Sequence, residues 1–190
     1  MIDFTPVHQK KTTVAKLAST MTLEDLRQTV DSVYTTILDQ LSACDDRDVV
    51  FEPEDPNAMD PYAQNPNELK VAWTLAHVIV HVNASNEESA FLAAELARGV
   101  EFHGRSRYEF PWQEVKTIDQ CRNLLLGSRK FCLASFDLWP EPPHYETTYS
   151  PWVSAGIVDA RGRFLLGLKH TDDHLAQIRE IIRQSKAAAS

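Results

Sequence analysis

Four stretches of this chain repeat apolar side chains every three or four residues, and helix-starting or helix-stopping residues flank them. In the first, Leu23, Leu26, Val30, Val33, Ile37 and Leu41 fall on one face. Thr22 and Asp25 have capping-box spacing, so each side chain can take up a backbone amide that the first turn leaves free. This helix is predicted to end near Cys44, before CDDRD. The second is predicted to start where a proline- and acid-rich connection ends, with Asn65 as cap, Pro66 in the first position and Glu68 in the first turn. It continues through WTLAHVIVHV and ASNEESAFLAAELARG and stops at Arg98-Gly99. The third starts at Thr117, which has capping-box spacing to Gln120, and reaches about Leu138 before WPEPP. The fourth covers RFLLGLKHTDDHLAQIREIIRQS, with Phe164, Leu168, Leu175, Ile178 and Ile182 on its buried face; Gly156 and Gly162 leave its start open.

Four helices of roughly 20 to 30 residues predict an all-α four-helix bundle. The link from Gly99 to Lys116, about 18 residues, is longer than antiparallel neighbours need, so helices two and three can run parallel across a crossover. The expected organisation is one domain over residues 1–190, with 1–20 as an N-terminal arm and 186–190 as a frayed tail. GRSRYEFPW in the link reads as a loop anchored on the bundle by Tyr108, Phe110 and Trp112.

Composition narrows the function. A formal net charge of -8 with no Lys/Arg cluster makes the chain a poor candidate for a nucleic-acid backbone binder, and no nucleic-acid partner is expected. No apolar run approaches the length of a membrane span, and the N-terminus lacks a leader's apolar core, so no membrane association and a cytoplasmic location are expected. The three cysteines, Cys44, Cys121 and Cys132, are odd in number and widely spaced. They predict neither disulfides nor a thiolate metal knuckle, but small apolar residues in or near the core.

WTLAHVIVHV is built to be buried, yet it carries His77 and His81. An i, i+4 pair on a helix lies about 40° apart, one turn above the other, so both rings can address one object. The same spacing recurs at His170 and His174 in HTDDH, beside the apolar face of the fourth helix. One such pair is more often a packed boundary feature than a ligand set. Two pairs among seven histidines point to a shared purpose, because buried imidazoles without partners are costly. Imidazoles from facing helices suit zinc, nickel or iron with no cysteine.

WTLAHVIVHV on the second helix, with HTDDHLAQI on the last, resembles the DinB/YfiT-like superfamily of metal-binding four-helix bundles. The resemblance runs from about Thr22 to Ser185. It rests on a tryptophan, a histidine eight residues later and a terminal His-x-x-x-His. It implies an up-down-down-up helix order and a divalent metal ion held by three histidines, here His81, His170 and His174. Zinc or nickel leads, with iron as an alternative. It also implies a homodimer, to which the sequence adds the aromatic residues Trp112, Trp139 and Trp152. The family pattern does not require His77, which is read as lining the pocket rather than as a fourth ligand.

No catalytic residue is assigned. His77 and Glu88 are pocket candidates, Glu88 lying two turns beyond His81 on the same face; Gln177, one turn after His174, is another. Asp172 and Asp173 read as exposed, His144 as a loop residue, and His8 and His103 as having no partner by spacing. The function expected from the resemblance is metal-dependent transfer or hydrolysis on a small-molecule substrate, with a low-molecular-weight thiol as cosubstrate. The rival is a non-catalytic stress-response bundle whose metal is structural.

Overall fold

The computed structural model describes residues 2–56, 58–59, 69–104 and 109–189. Its helices are α1 (Thr5–His8), α2 (Val14–Ala18), α3 (Leu23–Gln40), α4 (Asp46–Val50), α5 (Leu75–Ala97), α6 (Ile118–Ser135) and α7 (Ala160–Ala188). Two 3₁₀ turns, Trp112–Glu114 and Phe136–Leu138, flank α6. Extended pairing among the described residues is limited to a bridge between Tyr149 and Val158. No described helix is long and apolar enough to cross a membrane.

The helix starts follow local chemistry. At α3 the Thr22 hydroxyl accepts from the Asp25 amide at 3.1 Å, and the Asp25 carboxylate accepts from the Thr22 amide at 2.8 Å. Thr117 and Gln120 repeat the box at α6. Asp159 settles the start of α7: its carboxylate accepts from the Gly162 amide at 3.0 Å, which puts Gly162 inside the helix.

Other boundaries differ from expectation. The helix that carries His77 and His81 begins at Leu75, where the Thr74 hydroxyl accepts from the His77 amide. Residues 69–74 are not helical, and the expected cap Asn65, with Pro66 and Glu68, lies outside the described residues. α3 ends at Gln40 rather than near Cys44, because Asp45 and Asp48 form a second capping box that starts the separate helix α4. α6 tightens into its 3₁₀ turn before Leu138. α7 runs on to Ala188, and Ser185 and Lys186 each reach the buried Asp48 carboxylate at 2.6 Å. The N-terminal segment is packed too: Phe4, Val14 and Ala18 are buried, and His8 meets Asp172 at 3.0 Å and Asp173 at 3.4 Å on α7.

Side-chain contacts fix the helix directions. Arg27 reaches the Leu133 carbonyl, Arg129 pairs with Asp31, and Arg122 reaches the Leu41 carbonyl, so α3 and α6 are antiparallel. His81 meets His170 and Ser89 meets Arg163, so α5 and α7 are antiparallel. The Phe136 and Phe164 rings pack at 4.5 Å, placing the end of α6 beside the start of α7. The order is up-down-down-up, with α5 and α6 parallel. The link between them therefore climbs back along a 23-residue helix, about 35 Å at 1.5 Å per residue.

A polar chain crosses the core. The Tyr34 hydroxyl on α3 meets Ser128 of α6 at 2.7 Å and Asn86 of α5 at 3.1 Å. Thr171 of α7 donates to the Asn86 side-chain oxygen at 3.0 Å. Each long helix contributes one member, and each member is buried. All three cysteines are buried and free, as expected.

α5 and α7 approach closely at Gly167. A Cβ on Gly167 would sit 2.6 Å from Ser89 Cβ and 3.2 Å from Asn86 Cα. Gly167→Ala should lower stability by roughly 1–3 kcal/mol through overpacking. Gly127→Ala in α6, where nothing lies within 4 Å of the added carbon, should raise it by roughly 0.5–1 kcal/mol. Denaturant titration of both variants checks this; equal shifts would exclude a close-packing role for Gly167.

Candidate metal centre

The antiparallel contact of α5 with α7 brings His81 between His170 and His174. One ligand-capable atom from each lies within 4.8 Å of the other two. The ring centroids are 4.8, 5.1 and 4.7 Å apart, with interplanar angles of 66°, 73° and 86°. The rings therefore converge edge-on instead of stacking. The Nε2 atoms of His81 and His170 approach to 2.7 Å. Two ring nitrogens that close require a proton or a cation between their lone pairs.

Neighbours orient the rings. Glu109, on the crossover link, accepts from His81 Nδ1 at 2.6 Å. Gln177 accepts from His174 Nδ1 at 2.7 Å. With these tautomers, assigned from the hydrogen-bond network, the Nε2 lone pairs of His81 and His174 are left for an electrophile. Burial, and then the neighbouring His174 and His81, push the His170 pKa down to about 3. Burial also lowers that of His174, against an opposing hydrogen bond from Gln177. Both rings are thus neutral at pH 7, the form that binds metal. Ligand nitrogens around a tetrahedral zinc lie about 3.3 Å apart, between the 2.7 Å contact and the 4.8 Å spread. Three converging imidazoles with such partners fit a divalent cation.

His77 stands outside this group. Its ring is buried between Trp73, at 4.3 Å, and Trp112, at 4.8 Å, both stacked on it. Trp73 also meets His81 edge-on at 4.7 Å and lies parallel to His174 at 5.7 Å. His77 therefore backs the tryptophan that packs against His81 and His174.

A cavity of about 480 Å³ opens beside the histidines, and its walls include Trp73, Ser85, Glu88, Trp152, Arg163 and Leu166. Glu88 is buried on that wall, on the face that its spacing from His81 predicts. Asp172 and Asp173 meet His8 instead of the three converging rings, and Asp173 also holds Lys169 at 2.7 Å. His103 and His144 stand apart from the cluster, beside Glu95 and Glu146. Of the expected loop anchors, Trp112 is packed, Phe110 is exposed, and Tyr108 lies outside the described residues.

Sequence reasoning missed Glu109 and Arg163. Nothing in their spacing ties Glu109 to His81, 28 residues away. Arg163 had a usable signal, lying seven residues before His170 and so on the same face of α7.

The lowered His170 pKa sets a pH dependence. Folding holds the ring neutral, whereas the unfolded chain takes up a proton near the ordinary value of 6.5. The stabilising contribution is complete above 6.5 and is lost as pH falls from there towards about 3. Chelator-treated protein should lose stability between pH 6.5 and 5, before most carboxylates titrate, and His170→Phe should flatten that slope. Denaturant midpoints across this range are the measurement; identical slopes would contradict the buried neutral ring.

The DinB superfamily model matches residues 22–178, from the capping threonine of α3 to beyond the last histidine of the cluster. Comparison with curated proteins and with solved structures returned no match. With more than half of the chain matched, a four-helix bundle in up-down-down-up order and histidines converging from α5 and α7, this chain belongs to the DinB superfamily.

Proposed function

We propose that His81, His170 and His174 bind a divalent metal ion, zinc or nickel ahead of iron, as the centre of a thiol-dependent transferase or hydrolase. The observation that carries this reading is the convergence of three imidazoles beside a cavity large enough for a small molecule. A divalent ion held by neutral ligands keeps its positive charge and lowers the pKa of a coordinated water or thiol. The ligand group found among the described residues has three members. Tetrahedral binding by three protein ligands leaves a fourth position for an exchangeable group, the pattern of catalytic rather than structural sites. The chain's own residues then orient and shield. Glu109 and Gln177 hold two rings, Trp73 closes one side, and the substrate occupies the cavity towards Glu88 and Arg163.

Metal analysis of untagged protein, with thermal melts with and without chelator, tests the reading. Wild type should retain close to one equivalent of metal and melt higher with it. A ligand at a hundredfold excess over its Kd stabilises the folded state by about 2.7 kcal/mol. His81→Ala should lose both the metal and the chelator effect, whereas His77→Ala should keep the metal. Metal loss in His77→Ala equal to that in His81→Ala would overturn the ligand assignment. Metal binding with no turnover across a broad panel of thiols and electrophiles would favour the structural role.

The same reading includes a homodimer. Of the three tryptophans, Trp112 and Trp139 are packed within the chain, and Trp152 is exposed beside the exposed Val153 and Ile157, which supports pairing. Light scattering should give twice 21.5 kDa. A mass of one chain over a wide concentration range would reject it.

A further inference from the structure

The crossover link does more than connect two parallel helices. Because α5 and α6 run in the same direction, the link must return to the end of the bundle where α5 begins. That end carries both histidines of WTLAHVIVHV, and the link takes hold of each. Glu109 accepts from His81 Nδ1 at 2.6 Å, and Trp112 stacks on His77 at 4.8 Å and 7°. Two residues spaced by three on the link thus engage two residues spaced by four on the helix. The grip is anchored: Trp112 packs against the hydrophobic core, Val115 is buried, and the capping box at Thr117 starts α6 immediately afterwards.

We propose that Glu109 and Trp112 form a strap that positions His81 for metal binding, so that docking of the link and metal affinity are coupled. The proposal rests on the metal-binding reading above. Glu109 acts through His81 and not as a ligand. It takes Nδ1, while the Nε2 of the same ring faces His170, and it is not a member of the converging group. A carboxylate in this place fixes the ring's tautomer and angle and makes its other nitrogen a stronger donor. Trp112 sets the height of the strap by clamping on His77. This gives His77 a role that needs no metal contact. By linkage, whatever factor strap docking contributes to metal affinity, bound metal contributes equally to strap docking.

The test is zinc affinity, measured by competition with a chromogenic chelator, together with hydrogen exchange of residues 109–115 with and without zinc. Glu109→Ala should weaken zinc binding about 10- to 100-fold. Glu109→Gln, whose side-chain oxygen can still accept from Nδ1, should recover part of that loss. Trp112→Ala should weaken binding too, and the double variant Glu109→Ala/Trp112→Ala should lose little beyond the worse single variant, because both release one strap. In wild type, zinc should slow exchange across 109–115; in Glu109→Ala it should not. Glu109 is partly exposed, and His81→Ala serves as the reference for loss of the site. Weak zinc binding by wild type, no better than by His81→Ala, would sink the metal reading itself. Tight binding by wild type and Glu109→Ala alike, with His81→Ala alone defective, would overturn the strap and leave the metal reading intact. Additive losses in the double variant would show two independent supports and equally overturn the strap.

Discussion

The candidate site depends on how closely α5 and α7 approach. Gly167 lets the α7 backbone come against Ser89 and Asn86, where any side chain would clash. Thr171, Asn86, Tyr34 and Ser128 then lock the four long helices together through buried hydrogen bonds. Such bonds are costly to leave unmade in the core, so they favour one register of the helices over its neighbours. A one-turn slide of α7 along α5 would separate Thr171 from Asn86 and carry His170 and His174 past His81. Packing that looks purely structural therefore sets the spacing of the imidazoles.

Burial gives those imidazoles their chemistry. A histidine in water titrates near neutral pH, and half-protonated ligands make a poor site. Desolvation holds His170 and His174 neutral, while Glu109 and Gln177 choose which nitrogen faces inward. The cavity beside them combines apolar walls, at Trp73, Trp152 and Leu166, with charged groups at Glu88 and Arg163. Trp73 links the two arrangements, since its ring touches His77, His81 and His174 as well as the cavity.

Topology explains why the site draws on a third element. In an up-down-up-down bundle the connection after α5 would be short and would stay at the far end. Parallel α5 and α6 require a return path, and that path passes the histidines. Glu109 and Trp112 reach their partners because the fold needs the crossover. The two histidines of WTLAHVIVHV accordingly do different work: His81 faces its counterparts on α7, and His77 fills the gap between two tryptophans.

By itself, the sequence determined what is local. Capping boxes at Thr22 and Thr117, the stop at Gly99, the helical period of the apolar residues and the His-x-x-x-His spacings are short-range features, legible because they involve residues within about one turn. The length of the link permitted a crossover, and the family resemblance implied the helix order. Where local signals competed, reading failed. The helix that carries His77 and His81 was expected to include residues 69–74, but these are not helical and Thr74 caps α5; the first periodic stretch seemed to run to Cys44, but Asp45 begins a new helix. Only the tertiary structure decided which faces meet. It joined His81 to His170 and His174, put Glu109 behind His81 across 28 residues, withdrew His77 into an aromatic sandwich and docked His8 on Asp172. These pairings come from the direction and register of whole helices. Those are set by the summed packing of the core, and no short window of sequence contains that sum.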